Sequence, residues 1–215
     1  MMSVLQPAAP EMAEEAATLI YLTMRKTADY LFGGDQAQVI LKRLFQFKSN
    51  RFSYQFTQVT TDAEKPVGLV IAYPAQRMRA LELPMAFQLM QICGMADFFR
   101  FLQKTVPLAG IKEAEDGEYF IGNIAVLPAC QGAGLGTRML EEIQNRAKAE
   151  GYDKISLTVD VENGRAASLY ERTGFHIIEQ VEVKSLRRRI GYAGFYRMVK
   201  EIPPSSHPAG STSAN

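Results

Sequence analysis

Cysteine and histidine are scarce in this chain: its 215 residues hold two of each. Cys93 and Cys130 lie far apart, which excludes a disulfide framework and a cysteine zinc site. His207 stands in a polar tail and leaves His176 alone, so no metal centre is expected. An excess of either charge is lacking as well, since 24 basic residues against 23 acidic ones give a formal net charge of +1. No global field steers the chain toward nucleic acid or a membrane surface. The N-terminus lacks a basic start followed by an apolar run, so no secretory signal is read and a cytoplasmic location is expected. What remains is 47% hydrophobic and 22% charged, the make-up of a soluble globular protein. The length suits one domain with one large core.

The most informative stretch runs from Asn123 to Arg138. An apolar strand (Ile121, Ile124, Ala125, Val126) runs into Pro128, then into a glycine-rich turn from Gln131 to Gly136, then into a helix with Met139, Leu140, Ile143 and Ala147 on its apolar face. A strand, a glycine turn and a helix start make an anion-binding device. Free N–H groups point at the ligand and the macrodipole favours negative charge. Gly132, Gly134 and Gly136 clear the approach of phosphate oxygens to those amides, and Arg138 in the first turn can add a charged donor. A nucleotide P-loop needs a lysine at the end of such a turn, and here it ends Gly136, Thr137, Arg138. The dinucleotide fingerprint needs a different glycine spacing, early in the chain. Both fit badly.

The motif Q-x-x-G-x-G, read at Gln131, Gly134 and Gly136, resembles the coenzyme A pyrophosphate loop of the GCN5-related N-acetyltransferases (GNAT). Downstream, Asn163, Ala166, Leu169, Tyr170, Gly174 and Phe175 are similar to that superfamily's second signature, N-x-x-A-x-x-L-Y-x-x-x-G-F, and stand in the expected order. The resemblance implies an α/β fold, a mixed, mostly antiparallel twisted central sheet with helices on both faces. It implies acetyl-CoA as co-substrate, contacted by Ile124, Ala125 and Val126, by the turn residues Gln131, Gly132, Ala133, Gly134, Leu135, Gly136, Thr137 and Arg138, and by Asn163 and Tyr170. The Val126 N–H would meet the thioester oxygen, and Tyr170 would protonate the leaving thiolate.

Along the chain, Ser3 to Gln6 reads as a short edge strand and Ala8 to Tyr30 as a helix. Asp35 is placed to cap a second helix through Phe47. Phe52 to Val59 alternates at period two and reads as a strand, with Pro66 to Tyr73 as its antiparallel partner. Further strands are expected at Tyr119 to Val126, Lys154 to Val159, Phe175 to Lys184 and Tyr192 to Lys200, with Arg187, Arg188 and Arg189 as a solvated turn between the last two. Asn163 is expected to cap the helix carrying Tyr170. Residues 1–202 are read as one domain and the Pro- and Ser-rich 203–215 as a disordered tail.

An insertion at about 76–116 departs from the minimal family plan. Met85 to Lys104 is helical in pattern and rich in Met and Phe, but Gln88, Gln91, Asp97, Arg100 and Gln103 speak against a membrane span. It is read as a core helix, a homodimer contact, or a wall over the acceptor site with Phe98 and Phe99 excluding water.

Acetyl transfer to an amine needs a stabilised oxyanion, a neutral amine and a proton for the thiolate. The base is where the chain departs from better-known members of the superfamily, which carry Glu or His at the position of Gly122, or Glu at that of Thr158. Glu118 shares strand parity with Gly122 and is a candidate base acting through water; Asp160 is another. The sequence thus reads as an N-acetyltransferase acting on an amine acceptor, a small molecule or a protein or peptide amine, by direct attack in a ternary complex. A non-catalytic acyl-CoA-binding or sensing module is the alternative that Gly122 and Thr158 leave open.

Overall fold

The computed structural model describes residues 5–203. Among the described residues seven strands form one sheet: β1 (Gln6–Pro7), β2 (Thr57–Asp62), β3 (Lys65–Pro74), β4 (Glu118–Val126), β5 (Lys154–Asp160), β6 (His176–Val181) and β7 (Phe195–Glu201), in the order β1-β2-β3-β4-β5-β7-β6. Every neighbouring pair is antiparallel except β4 and β5, which run parallel. The mixed, mostly antiparallel α/β sheet expected from the sequence is therefore what forms.

Side-chain alternation builds a core on each face. Leu69, Ile71, Tyr73 and Phe120 point to the face covered by α1 (Ala13–Phe32), α2 (Gly34–Gln46) and α3 (Met78–Thr105). Val70, Ala72, Tyr119 and Ile121 point to the opposite face, under α4 (Leu135–Ala149) and α5 (Gly164–Arg172). On α4 the apolar stripe Met139, Leu140, Ile143 and Ala147 is buried, following the 3.6-residue period.

Two irregularities in β4 shape the molecule. Its register with β3 shifts between Ile71–Asn123 and Ala72–Ile121, so Gly122 forms a bulge. Side-chain parity flips there: Ile121 packs on the α4 face, and beyond the bulge Ile124 and Val126 do so in place of Asn123 and Ala125. On the other edge, pairing with β5 covers only Glu118 to Ile121, after which the parallel strands part.

Several local expectations change. The strand expected from Phe52 starts only at Thr57, because Tyr54–Phe56 is a 3₁₀ turn capped by Ser53, whose hydroxyl accepts from Gln55 N–H. Helix α2 starts at Gly34 without a side-chain cap, with Asp35 inside the first turn. Helix α1 starts at Ala13 and is broken at Met24, where φ is −140°. The arginine run is no turn but lies in α6 (Lys184–Ile190), which ends on Gly191 in the left-handed region, φ 66°. Helix α3 begins earlier than Met85, at Met78, and is interrupted at Gly94, φ 77°. Its outward side leaves Leu83, Phe87, Met95 and Phe99 exposed. No helix among the described residues is long and apolar enough to cross a membrane. The tail expected to be disordered lies, from 204 on, outside the described residues, as do Ser3 and Val4 of the expected edge strand.

Candidate active site

The parting of β4 from β5 opens a cleft of about 1220 Å³ that runs from the glycine turn to the inner face of α3. Leu127 N–H donates to Val67 O on β3 at 2.8 Å. Strand alternation then turns the Val126 N–H the other way, into the opening where β5 no longer pairs. The carbonyl of Val126 points there too and accepts from Gln131 Nε2 at 3.0 Å, which ties the turn to the strand end.

The glycine turn forms as its composition requires. Gly132 and Gly134 have φ of 89° and 75°, a region that a side chain disfavours, and Gly134 is the left-handed N-cap of α4. At Gly136 a Cβ would lie 3.3 Å from Leu169 of α5, so glycine lets the two helices close on the turn. Ile124, Ala125, Val126, Gln131, Gly132, Gly134, Leu135, Gly136 and Thr137 line the cleft, as do Asn163 and Tyr170. Ala133 and Arg138 are exposed and stand outside its walls. Asn163 caps α5, its side-chain oxygen accepting from Ala166 N–H at 3.2 Å. Tyr170 is buried on α5 with its ring edge-on to Phe175. Burial raises its phenol to about 12, so it holds its proton at neutral pH.

Glu118 is placed differently from the expectation. It is buried away from the cleft, paired with Arg197 of β7 and accepting from Glu115 N–H at 2.9 Å. Burial alone would raise this carboxyl, but those hydrogen bonds and the guanidinium charge bring it below its ordinary value. A carboxylate held in this way is a poor proton acceptor, and its base role is withdrawn. Asp160 does line the cleft, accepting from the Tyr192 hydroxyl at 2.7 Å, and burial raises its carboxyl. Thr158 lines the cleft as well.

The end of the cleft away from the glycine turn holds residues that no local motif signals. A Cβ on Gly122 would lie 3.5 Å from the Tyr73 hydroxyl oxygen, so Tyr73 of β3 reaches to the bulge. Arg51 Nε donates to that oxygen at 3.3 Å, and the same guanidinium pairs with Glu113, from the loop after α3. Burial pushes the Tyr73 phenol up and Arg51 pulls it partly back, leaving it raised and protonated. Asn123 Nδ2 donates to Thr23 Oγ1 at 2.7 Å beside the break in α1. From α3, Met85, Ala86, Leu89, Phe101 and Leu102 reach the cleft, whereas Phe98 packs into the core and Phe99 is exposed, so neither is the wall residue expected. Among the described residues no group of three metal-ligating side chains occurs.

Comparison with known proteins converges on one family. The sequence model of the acetyltransferase (GNAT) family matches residues 27–175. Over 65 residues the chain is 37% identical to mycothiol acetyltransferase of Beutenbergia cavernae, covering 30% of this chain and 21% of that protein. Over 93 residues it is 32% identical to N-alpha-acetyltransferase 50 of Danio rerio, covering 42% of this chain and 54% of that protein. The chain thus spans about a fifth and about half of those relatives. In fold it is similar to an N-acetyltransferase from Staphylococcus aureus Mu50, with a TM-score of 0.72 at 22% identity over 92% of this chain and 99% of that one. It also shares its fold with the PaiA N-acetyltransferase from Thermoplasma acidophilum, solved in complex with coenzyme A, with a TM-score of 0.52 at 10% identity over 94% of this chain and 99% of that one. With the family model spanning more than half of the chain and the strand opening in place beside its glycine turn, the protein belongs to the acetyltransferase (GNAT) family.

Proposed function

We propose that the protein transfers the acetyl group of acetyl-CoA to a primary amine by direct attack in a ternary complex. The observation that carries this reading is the single cleft that joins the glycine turn, the open edge of β4 and the inner face of α3. The pyrophosphate would sit on the N–H groups of Gln131 to Gly136 at the start of α4. The pantetheine arm would then run along Ile124, Ala125 and Val126, pairing where β5 has withdrawn.

The steps follow from this placement. The amine nitrogen forms a bond to the thioester carbon, and the Val126 N–H bonds the oxyanion that develops. The C–S bond breaks, and the thiolate takes the Tyr170 proton. The nitrogen's spare proton leaves to water, and Tyr170 regains its own from the same pool. The products are an N-acetylated amine and free coenzyme A. Deprotonation is helped by the cleft itself, because a poorly hydrated wall disfavours the ammonium form.

The test is calorimetry with acetyl-CoA on Gly134→Asp. This change places a side chain at φ 75° and a carboxylate beside the phosphates. Binding weakened by roughly two orders of magnitude or more is expected from the lost site and the repulsion. Binding as tight as wild type would place the coenzyme elsewhere.

A further inference from the structure

We infer that the acceptor is a primary amine carried on an apolar body, and that its nitrogen is received by the Tyr73 hydroxyl, itself held by Arg51 and Glu113. This rests on the acetyl-transfer reading and specifies its second substrate. The wall beyond the bulge is built from Met24 and Phe32 of α1, Phe52, and Met85, Leu89 and Phe101 of α3. Phe32 and Phe101 stack with centroids 5.6 Å apart and planes at 3°, an aromatic pair contributed by two helices.

Arg51 is compensated by Glu113 and Glu82 is exposed, while Asp160, half-buried, is held by the neutral Tyr192 hydroxyl. Among the described residues, no buried unpaired cation lines this wall to meet a carboxylate on the acceptor, and Asp160 can meet one further ammonium at most. An acidic amine would leave its carboxylate desolvated without a partner, and spermidine would leave an ammonium in the same state, which is costly. An apolar body is instead stabilised in proportion to the area it buries.

The polar point on this wall is Tyr73. Its oxygen accepts from Arg51 Nε, which uses one lone pair and fixes the hydroxyl's direction. The second lone pair can accept an N–H of the amine. Gly122 leaves the space for it, since the Tyr73 oxygen stands 3.5 Å from where a Cβ would be. Gly122 is also where β4 and β5 stop pairing, so the hydroxyl marks the apex of the opening toward which the thioester is led. The Tyr73 hydroxyl touches and orients the amine. Arg51 and Glu113 act through it as positioning residues.

The experiment compares kcat/KM for four acceptors with acetyl-CoA: 2-phenylethylamine, a peptide with N-terminal leucine, spermidine and glutamate. One or both of the first two should exceed spermidine and glutamate by about 10-fold or more, as the burial of an apolar side chain predicts. The peptide arm distinguishes a chain terminus from a free small amine as the source. Tyr73→Phe should raise the acceptor KM roughly 5- to 10-fold, the worth of one hydrogen bond, with acetyl-CoA affinity unchanged and the fold retained, its melting temperature lowered by the loss of the Arg51 Nε acceptor. Arg51→Lys should move KM the same way by less. Turnover led by spermidine or glutamate, or an unaltered acceptor KM in Tyr73→Phe, overturns the inference. If acetyl-CoA binds and none of the four amines is acetylated, the acetyl-transfer reading falls and the inference with it.

Discussion

Tyr170 lines the cleft with its ring centroid 6.0 Å from that of Phe175. Replacing it by phenylalanine removes one oxygen and keeps the packing. If it supplies the thiolate's proton, kcat should fall about 100-fold while acetyl-CoA affinity stays put, as single-turnover kinetics and calorimetry would show. The pH profile carries the same information. Tyr170 must be protonated to act, and burial has raised it to about 12. The rate of the wild type should therefore climb with the neutral fraction of the amine and show no falling limb until pH approaches about 12. A fall near pH 8 would point to a different acid. Glu118 has the opposite character. Glu118→Gln leaves Arg197 charged and buried without its partner, which should cost about 3–5 kcal/mol in a denaturant titration and leave the kcat of the folded enzyme close to wild type. Because the folded Glu118 carboxyl is lowered from an ordinary 4.5, its contribution is in force above that pH and is lost as the pH falls through the lower folded value. A large loss of kcat at unchanged stability would restore Glu118 as a base.

At the scale of elements, the glycine turn and the cap of α5 were legible because both are local. A left-handed N-cap and an Asn that accepts from the amide three residues on leave fixed spacings in a sequence. Helix α6 was not legible: Leu186 is its one buried residue, too little periodicity to outweigh three arginines in a row. Phe52 to Phe56 alternates like a strand, but Ser53 turns it into a 3₁₀ segment. Parity arguments along β4 also stop at Gly122, because the bulge exchanges the faces. The Arg51–Glu113 pair spans 62 positions and the Arg197–Glu118 pair 79, distances over which no sequence pattern connects partners. Helix α3 was recognised as a helix, but which face it turns inward depends on the break at Gly94. Phe101, stacked on Phe32, is the aromatic that reaches the cleft. Phe101→Ala should raise the acceptor KM about 10-fold and spare acetyl-CoA binding. The same loss from Phe99→Ala, whose ring is exposed, would contradict this placement of α3.

Over the whole molecule, two cores on opposite faces of one sheet hold the halves of the site. The α4–α5 core fixes the glycine turn and Tyr170, and the α1–α2–α3 core fixes the wall proposed to take the acceptor. They meet where β4 leaves β5, so under the proposed reaction strand geometry would bring the two substrates together. Acetyl transfer from coenzyme to amine is the central claim, and a mass balance tests it most directly. Enzyme, acetyl-CoA and 2-phenylethylamine or the leucine peptide are incubated, and free thiol and acetylated amine are quantified together by mass spectrometry. The account predicts one N-acetylated product for each coenzyme A released, with both lost in Gly134→Asp. Coenzyme A released without acetylated amine, or acetyl-CoA bound and left intact with every amine, would contradict it.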